Sequence, residues 1–177
     1  FMEKSLQFYS DYFLNNTKQD IYEVPFVNAA AWFIPKHVFE SIGGFDPIFH
    51  HYGEDNNFCQ RLTYHGFKIG VVPKSLIYHD SIKRTEPEKY LFSKSYYLNE
   101  VKQLQIQYAN INESFTKKDQ KNVKSHIVKL IILNFLKFNW TGVKGYIKKY
   151  KIFETALSQI AQSRLINVNK NPHYLDF

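Results

Sequence analysis

The sequence predicts an α/β protein, a short mixed sheet with its helices followed by a helical C-terminal extension. Three observations predict it. Over the first 110 residues, brief apolar runs alternate with helical spacings, separated by Gly, Pro and Asn punctuation. Hydrophobic residues make up 44% of the chain and aromatics 18%, which is enough to build a core and argues against disorder. From about residue 111 the composition shifts to lysine-rich helical sequence. The length of 177 residues fits one domain with an appendage, and the shift places the boundary so that 1–110 forms the α/β part and 111–177 the basic extension.

Met2, Leu6, Tyr9 and Phe13 recur at helical spacing and predict an amphipathic helix over 2–14, broken by Asn15-Asn16-Thr17. Residues 24–34 are apolar and poor in charge, which suits a buried strand starting at the Val24-Pro25 edge. Pro35 has the fixed φ of a first helical turn and opens a short helix through Phe39, stopped by Gly43-Gly44. An aromatic, turn-forming loop over 45–53 leads into a second helix, 54–65, which Gly66 ends. Lys68–Val72 and Leu76–Tyr78 read as strand pieces divided by Pro73. Thr85-Glu-Pro-Glu88 has the form of a capping box that starts a long helix reaching Tyr108. In the extension, helices are expected near 119–138 and 142–166, separated by Asn139-Trp140-Thr141-Gly142.

The formal charge is +7 and the isoelectric point near 9.3. Ten lysines against one acid, Asp119, lie between Lys117 and Lys151, so the basic character resides in the extension. A basic surface suits nucleotide diphosphates, acidic lipid headgroups or nucleic acid. Nucleic acid is set aside, because the lysines do not interleave with exposed aromatics in a known motif and the tail carries a single arginine, Arg164. Cys59 is the only cysteine and excludes an intrachain disulfide, compatible with a cytoplasmic setting. No secretory signal opens the chain, and no run of about 18 uncharged apolar residues suggests a spanning helix. The chain begins at Phe1 and is read as a piece of a longer protein.

The chemistry-bearing stretch is Gly43-Gly-Phe-Asp-Pro-Ile-Phe-His-His-Tyr-Gly-Glu-Asp-Asn-Asn-Phe-Cys-Gln-Arg61, followed by Gly66-Phe67, Pro73 and His79. Glu54 and Asp55 follow a glycine and start a helix. Helix-start amides favour an ionised carboxylate there, and packing through Phe58, Cys59 and Leu62 would hold it rigid. A fixed, ionised carboxylate at the mouth of a cleft can take a proton from a sugar hydroxyl. From spacing alone, such acids are also ordinary helix-start residues.

The ordered series Gly-Gly-Phe-Asp, aromatic loop, Gly-Glu-Asp, five residues, Arg resembles the second half of family 2 glycosyltransferases. Asn28-Ala-Ala-Ala-Trp32 and Pro35 resemble that family's acceptor-side strand and the helix after it, and Gly66, Pro73 and His79 follow in order. The resemblance spans residues 24–79, about a third of the chain. It implies a partial GT-A (Rossmann-like) fold whose acceptor-side, catalytic half lies within 1–110. It also implies inverting transfer from a nucleotide-sugar donor to a saccharide or lipid-linked acceptor, with Asp55 as general base and Glu54 supporting it. It makes His79 a ligand of a divalent metal, Mn2+ or Mg2+, on the donor diphosphate. One imidazole cannot hold such an ion, which wants several oxygen ligands, and no Asp-x-Asp motif occurs in the sequence. The resemblance therefore places donor binding in a preceding half, and the fragment alone is expected to be inactive. Asn57 stands where the family usually has a further acid, and the Gln-x-x-Arg-Trp motif of processive members is missing.

Asn28, Ala29, Ala30, Trp32, His51 and Tyr52 are the candidate sugar contacts. Close packing describes the alanines equally well, a core position suits Trp32, and His50, His51 and Tyr52 are describable as exposed loop residues. Arg61 suits a structural ion pair and Cys59 an inert packed thiol. In the extension, Val123, Ile127, Leu130, Ile131, Phe135 and Phe138 form one stripe, which Val128, Ile132, Leu133 and Leu136 widen. It fits burial against the domain, a homodimer through the C-terminal helices, or docking of a peripheral protein on the anionic inner membrane surface. A non-catalytic assembly module on the same scaffold is the alternative to an enzyme.

Overall fold

Helices form in the computed structural model along apolar stripes, and the later ones also have side chains that cap their first N–H groups. Residues 2–50, 52–78 and 90–175 are described, with side chains from Phe8 onward. The elements are α1 (Met2–Phe13), β1 (Tyr22–Val24), α2 (Lys36–Ile42), α3 (Glu54–Tyr64), β2 (Ile69–Val71), α4 (Lys94–Tyr108), α5 (Lys117–Leu136) and α6 (Trp140–Asn167). They fall into two compact units, residues 1–84 with 166–177, and residues 85–165.

The first unit contains a two-stranded antiparallel sheet in which Tyr22, Glu23 and Val24 face Val71, Gly70 and Ile69. Tyr22 anchors it: its hydroxyl donates to Asp11 Oδ2 at 2.8 Å and accepts from the Lys18 amide at 2.9 Å, and its ring meets Phe8. The strand expected over 24–34 is shorter than its apolar run. Only Tyr22–Val24 pairs, and 25–35 is irregular and largely exposed. Pro25 supplies no ladder donor, and no further strand lies alongside among the described residues. Leu76–Tyr78 likewise forms no strand.

Pro35 stands just before α2, and Gly43 closes it at φ 78°, with its N–H returned to Phe39 O at 2.7 Å. The core joins α2 to α3: Val38, Ile42, Phe58 and Leu62 are buried, and Trp32, Ile34, Phe39, Phe67 and Ile69 pack against them. The chain from Ile166 to Leu175 completes this unit. Asn167 Nδ2 donates to buried Asp46 Oδ2 at 2.7 Å, and the Gly44 N–H donates to His173 O at 2.8 Å.

In the second unit, Ser93 caps α4 by accepting from the Tyr96 amide at 3.1 Å. The Thr85–Glu88 capping box falls outside the described residues. Thr116 and Asp119 form a reciprocal capping box on α5. Tyr97, Leu104, Ala109, Ile111, Ile127, Phe153, Ala156, Leu157 and Ile160 are buried. Arg164 donates to Tyr108 O at 2.9 Å and also to Asn110 O and Glu113 O, tying the turn after α4 to α6. No helix among the described residues is long and apolar enough to cross a membrane.

Candidate active site

Tyr52 and Gly53 both take positive φ, 67° and 105°, and the chain then enters α3 at Glu54. Glycine adopts this conformation freely, whereas a tyrosine held there is strained by about 1 kcal/mol. The turn places Glu54 and Asp55 in the first helical turn, where free amides and the helix dipole favour negative charge. Both acids are half-buried. Asp55 Oδ1 accepts from the Asn56 amide at 2.7 Å.

The helix behind them cannot shift easily. Phe58 and Cys59 are buried, and the Phe58 ring lies 5.1 Å from Phe45 and 5.8 Å from Trp32. Trp32 stacks on Phe45 at 6.0 Å, and its Nε1 donates to Asn28 O at 2.9 Å, curling 28–32 into a turn. Cys59 Sγ contacts Val27 O at 3.9 Å, and the Asp55 charge reaches the thiol. Burial, before that charge, pushes the Cys59 thiol up, so it is the inert packed group expected from its position. The packing thus brings the 27–32 loop against the first two turns of α3, with Asn28, Ala29 and Ala30 exposed on it and Trp32 half-buried beneath. Tyr52 is exposed at the entry to α3. His51 and His79 lie outside the described residues, so the structure does not place either beside Asp55.

Arg61, six residues beyond Asp55, is structural, and among the described residues no close ion pair engages it. Its guanidinium is fully buried, donates to Gly44 O at 2.6 Å and to Ile42 O, and sits between the Phe58 and Tyr174 rings. Burial pulls its pKa down, while Tyr174 and Asp46 oppose that shift. Asp46 also accepts from the Ile48 amide at 3.0 Å, so the Gly-Gly-Phe-Asp segment is fixed from both sides. Asp46, Asn167 and Tyr174 are the supporting residues that sequence reasoning missed. The Asp46 signal lay within the motif, whereas nothing local marks Asn167 or Tyr174.

Two features of the first α3 turns are unfinished. Glu54 Oε2 and both amide atoms of Asn57 are buried with no hydrogen-bond partner among the described residues. Buried polar groups are ordinarily paired, so these atoms set the first turns of α3 apart from the rest of the helix. No three His, Cys, Asp or Glu side chains among the described residues converge as a metal site. A hollow of about 210 Å3 opens at the other end of α3, lined by Glu23, Val24, Pro25, Thr63, Phe67, Lys68 and Ile69, and does not include Asp55.

Residues 5–147 match the family model described as "Glycosyl transferase family group 2". No curated protein and no solved structure matches the chain.

Proposed function

The chain belongs to glycosyl transferase family group 2, and from that premise we propose that Asp55 is the general base of an inverting sugar transfer to a saccharide or lipid-linked acceptor. The observation that carries this reading is the start of α3. A strained Tyr52–Gly53 turn delivers a half-exposed carboxylate onto a helix whose opposite side is locked in the core. Backbone strain held in place by its surroundings is a feature of functional sites.

In the proposed reaction, the acceptor hydroxyl gives its proton to Asp55 as its oxygen attacks the anomeric carbon of a nucleotide sugar. The carbon–oxygen bond to the diphosphate breaks on the opposite face, and a nucleoside diphosphate leaves. One displacement inverts the anomeric configuration, with no covalent sugar–enzyme intermediate. Glu54, whose Oε2 is buried with no hydrogen-bond partner among the described residues, supports the base. Asn28, Ala29, Ala30, Trp32 and Tyr52 contact the sugars, and His51 completes this set. At the family level a Mn2+ or Mg2+ ion would offset the charge growing on the donor diphosphate, with His79 as one ligand, and among the described residues no three His, Cys, Asp or Glu side chains converge to hold it. The nucleotide-sugar donor is held by a segment with the Asp-x-Asp acids that this sequence lacks. The single buried cysteine suits a cytoplasmic reaction.

The test is Asp55→Asn in the intact transferase, followed as nucleoside diphosphate release from a nucleotide-sugar panel with saccharide acceptors. Turnover should fall by about 10²–10⁴, with donor binding retained. The product anomer should be inverted by NMR. Turnover near that of the unmodified enzyme removes Asp55 from the mechanism, and a retained configuration removes single displacement.

A further inference from the structure

α5 and α6 form an antiparallel hairpin whose tip is apolar and surrounded by positive charge. The Lys124–Glu154 ion pair at 2.7 Å, with its partners equally far along the chain from Asn139, sets the antiparallel pairing. Of the twenty residues of α5, only Ile127 is buried. Toward the tip, Ile132, Leu133, Phe135, Leu136, Phe138 and Trp140 are all exposed, Phe138 to 79% and Trp140 to 55%. The apolar stripe of α5 therefore divides: Ile127 packs inward while its distal end faces water.

The tip is constructed to hold that arrangement. Phe138 sits at φ 53°, a left-handed conformation that a phenylalanine adopts at a cost. Asn134 Nδ2 donates to Leu130 O at 2.8 Å, Asn139 Nδ2 donates to Asn134 Oδ1 at 2.8 Å, and the Gly142 N–H donates to Asn139 Oδ1 at 3.1 Å. The last bond caps α6. A Cβ on Gly142 would lie 2.2 Å from Asn134 Oδ1, so the network closes only with glycine there. The Trp140 ring stands edge-on to Phe135 at 5.6 Å.

No acid occurs from Gln120 to Phe153, against eight lysines. Lys124 is paired with Glu154 and Lys149 with Glu100. Lys129, Lys137, Lys144 and Lys148 are exposed on the tip and the adjoining turns and no ion pair engages them among the described residues, though the Lys148 ammonium lies 4.9 Å from the Tyr97 ring centroid. At about 1.5 Å rise per residue, all four lie within roughly 12 Å of the tip along the helices, comparable to a Debye length.

We propose that this tip docks on an anionic lipid surface, with Phe138 and Trp140 entering the boundary between headgroups and acyl chains and the lysines facing the headgroups. Exposed aromatics beside lysines are the composition of interfacial anchors. A second copy of the chain fits less well, since a two-fold contact presents the same patch from both sides and sets these lysines against one another. A spanning role is excluded for the described helices by their length and polarity. The inference stands apart from sugar transfer, and its test uses no sugar.

The full chain is floated with phosphatidylcholine vesicles, with and without phosphatidylglycerol, at low and high salt. It should float with the anionic vesicles at low salt and be released by high salt, and pure phosphatidylcholine should hold it weakly. Trp140 emission should shift to the blue on binding, and Trp140→Phe should lose the shift while still binding. Phe138→Ser with Trp140→Ser should abolish flotation, and Lys137→Glu with Lys144→Glu should weaken it by at least about fivefold per lysine. Circular dichroism of each variant confirms an intact fold. Four outcomes overturn the proposal: no flotation at low salt, flotation unchanged in the aromatic variant, binding indifferent to salt and lysines, or a dimer that buries the patch and excludes vesicles.

Discussion

The buried guanidinium of Arg61 shows how one residue fixes the ground under a candidate base. It is fully buried, and its partners are two carbonyls in the Gly43–Gly44 bend and two aromatic faces. Arg61→Met keeps the volume but strands both carbonyls, and should cost about 3 kcal/mol or more in urea unfolding. Arg61→Lys should recover only part, since a compact ammonium cannot fork to two carbonyls while stacking between rings. A loss below about 1 kcal/mol in Arg61→Met would show that the bend holds without it. At this scale the sequence was informative where chemistry is local. The placement of Glu54-Asp55 after a glycine, and Cys59 and Phe58 on the packed side of their helix, followed from spacing and are found in the structure. What Arg61 touches did not follow, because its carbonyl partners and Tyr174 are brought to it only by the tertiary fold.

Among the elements, the pairing of α4 with α6 includes a titratable contact. Lys149 is largely buried and donates to Glu100 and, at 3.2 Å, to Tyr96 Oη. Burial works to lower its pKa, but the Glu100 and Tyr96 interactions outweigh it and the net shift is upward. A raised lysine contributes stability that is complete below the usual lysine range and is lost as pH rises through the folded value. Urea midpoints should therefore decline more steeply at strongly alkaline pH in the unmodified protein than in Glu100→Gln, where the ion pair is gone. Parallel alkaline profiles would remove the pair from the stability balance. Helices were the most legible elements, because caps and periodicity are encoded nearby: α1, α3 and the ends of α2 and α4 fall close to where Gly43, Gly66 and the apolar spacing put them. The strand over 24–34 was not legible, because an apolar run looks the same whether or not a neighbouring strand exists to pair with it.

At the scale of the whole molecule, the first unit is discontinuous: residues 166–177 join 1–84 across the intervening second unit. Asn167→Ala removes the donor to buried Asp46 and should speed amide hydrogen exchange across 43–50 while leaving α4 unchanged, since units open separately. Equal acceleration in α4 would mean that the two units open together. No local pattern in 166–175 announced this return, because its partners are distant in sequence, Asn167 lying 121 positions from Asp46. That separation has a consequence during biosynthesis. A nascent chain with residues 1–84 outside the ribosome but not yet 166–175 carries the Glu54-Asp55 helix but no Asn167 for Asp46 and no Tyr174 ring over Arg61. The bend beneath the carboxylate then stays unfastened until residues 166–175 emerge, so this unit can close only after the second has been translated.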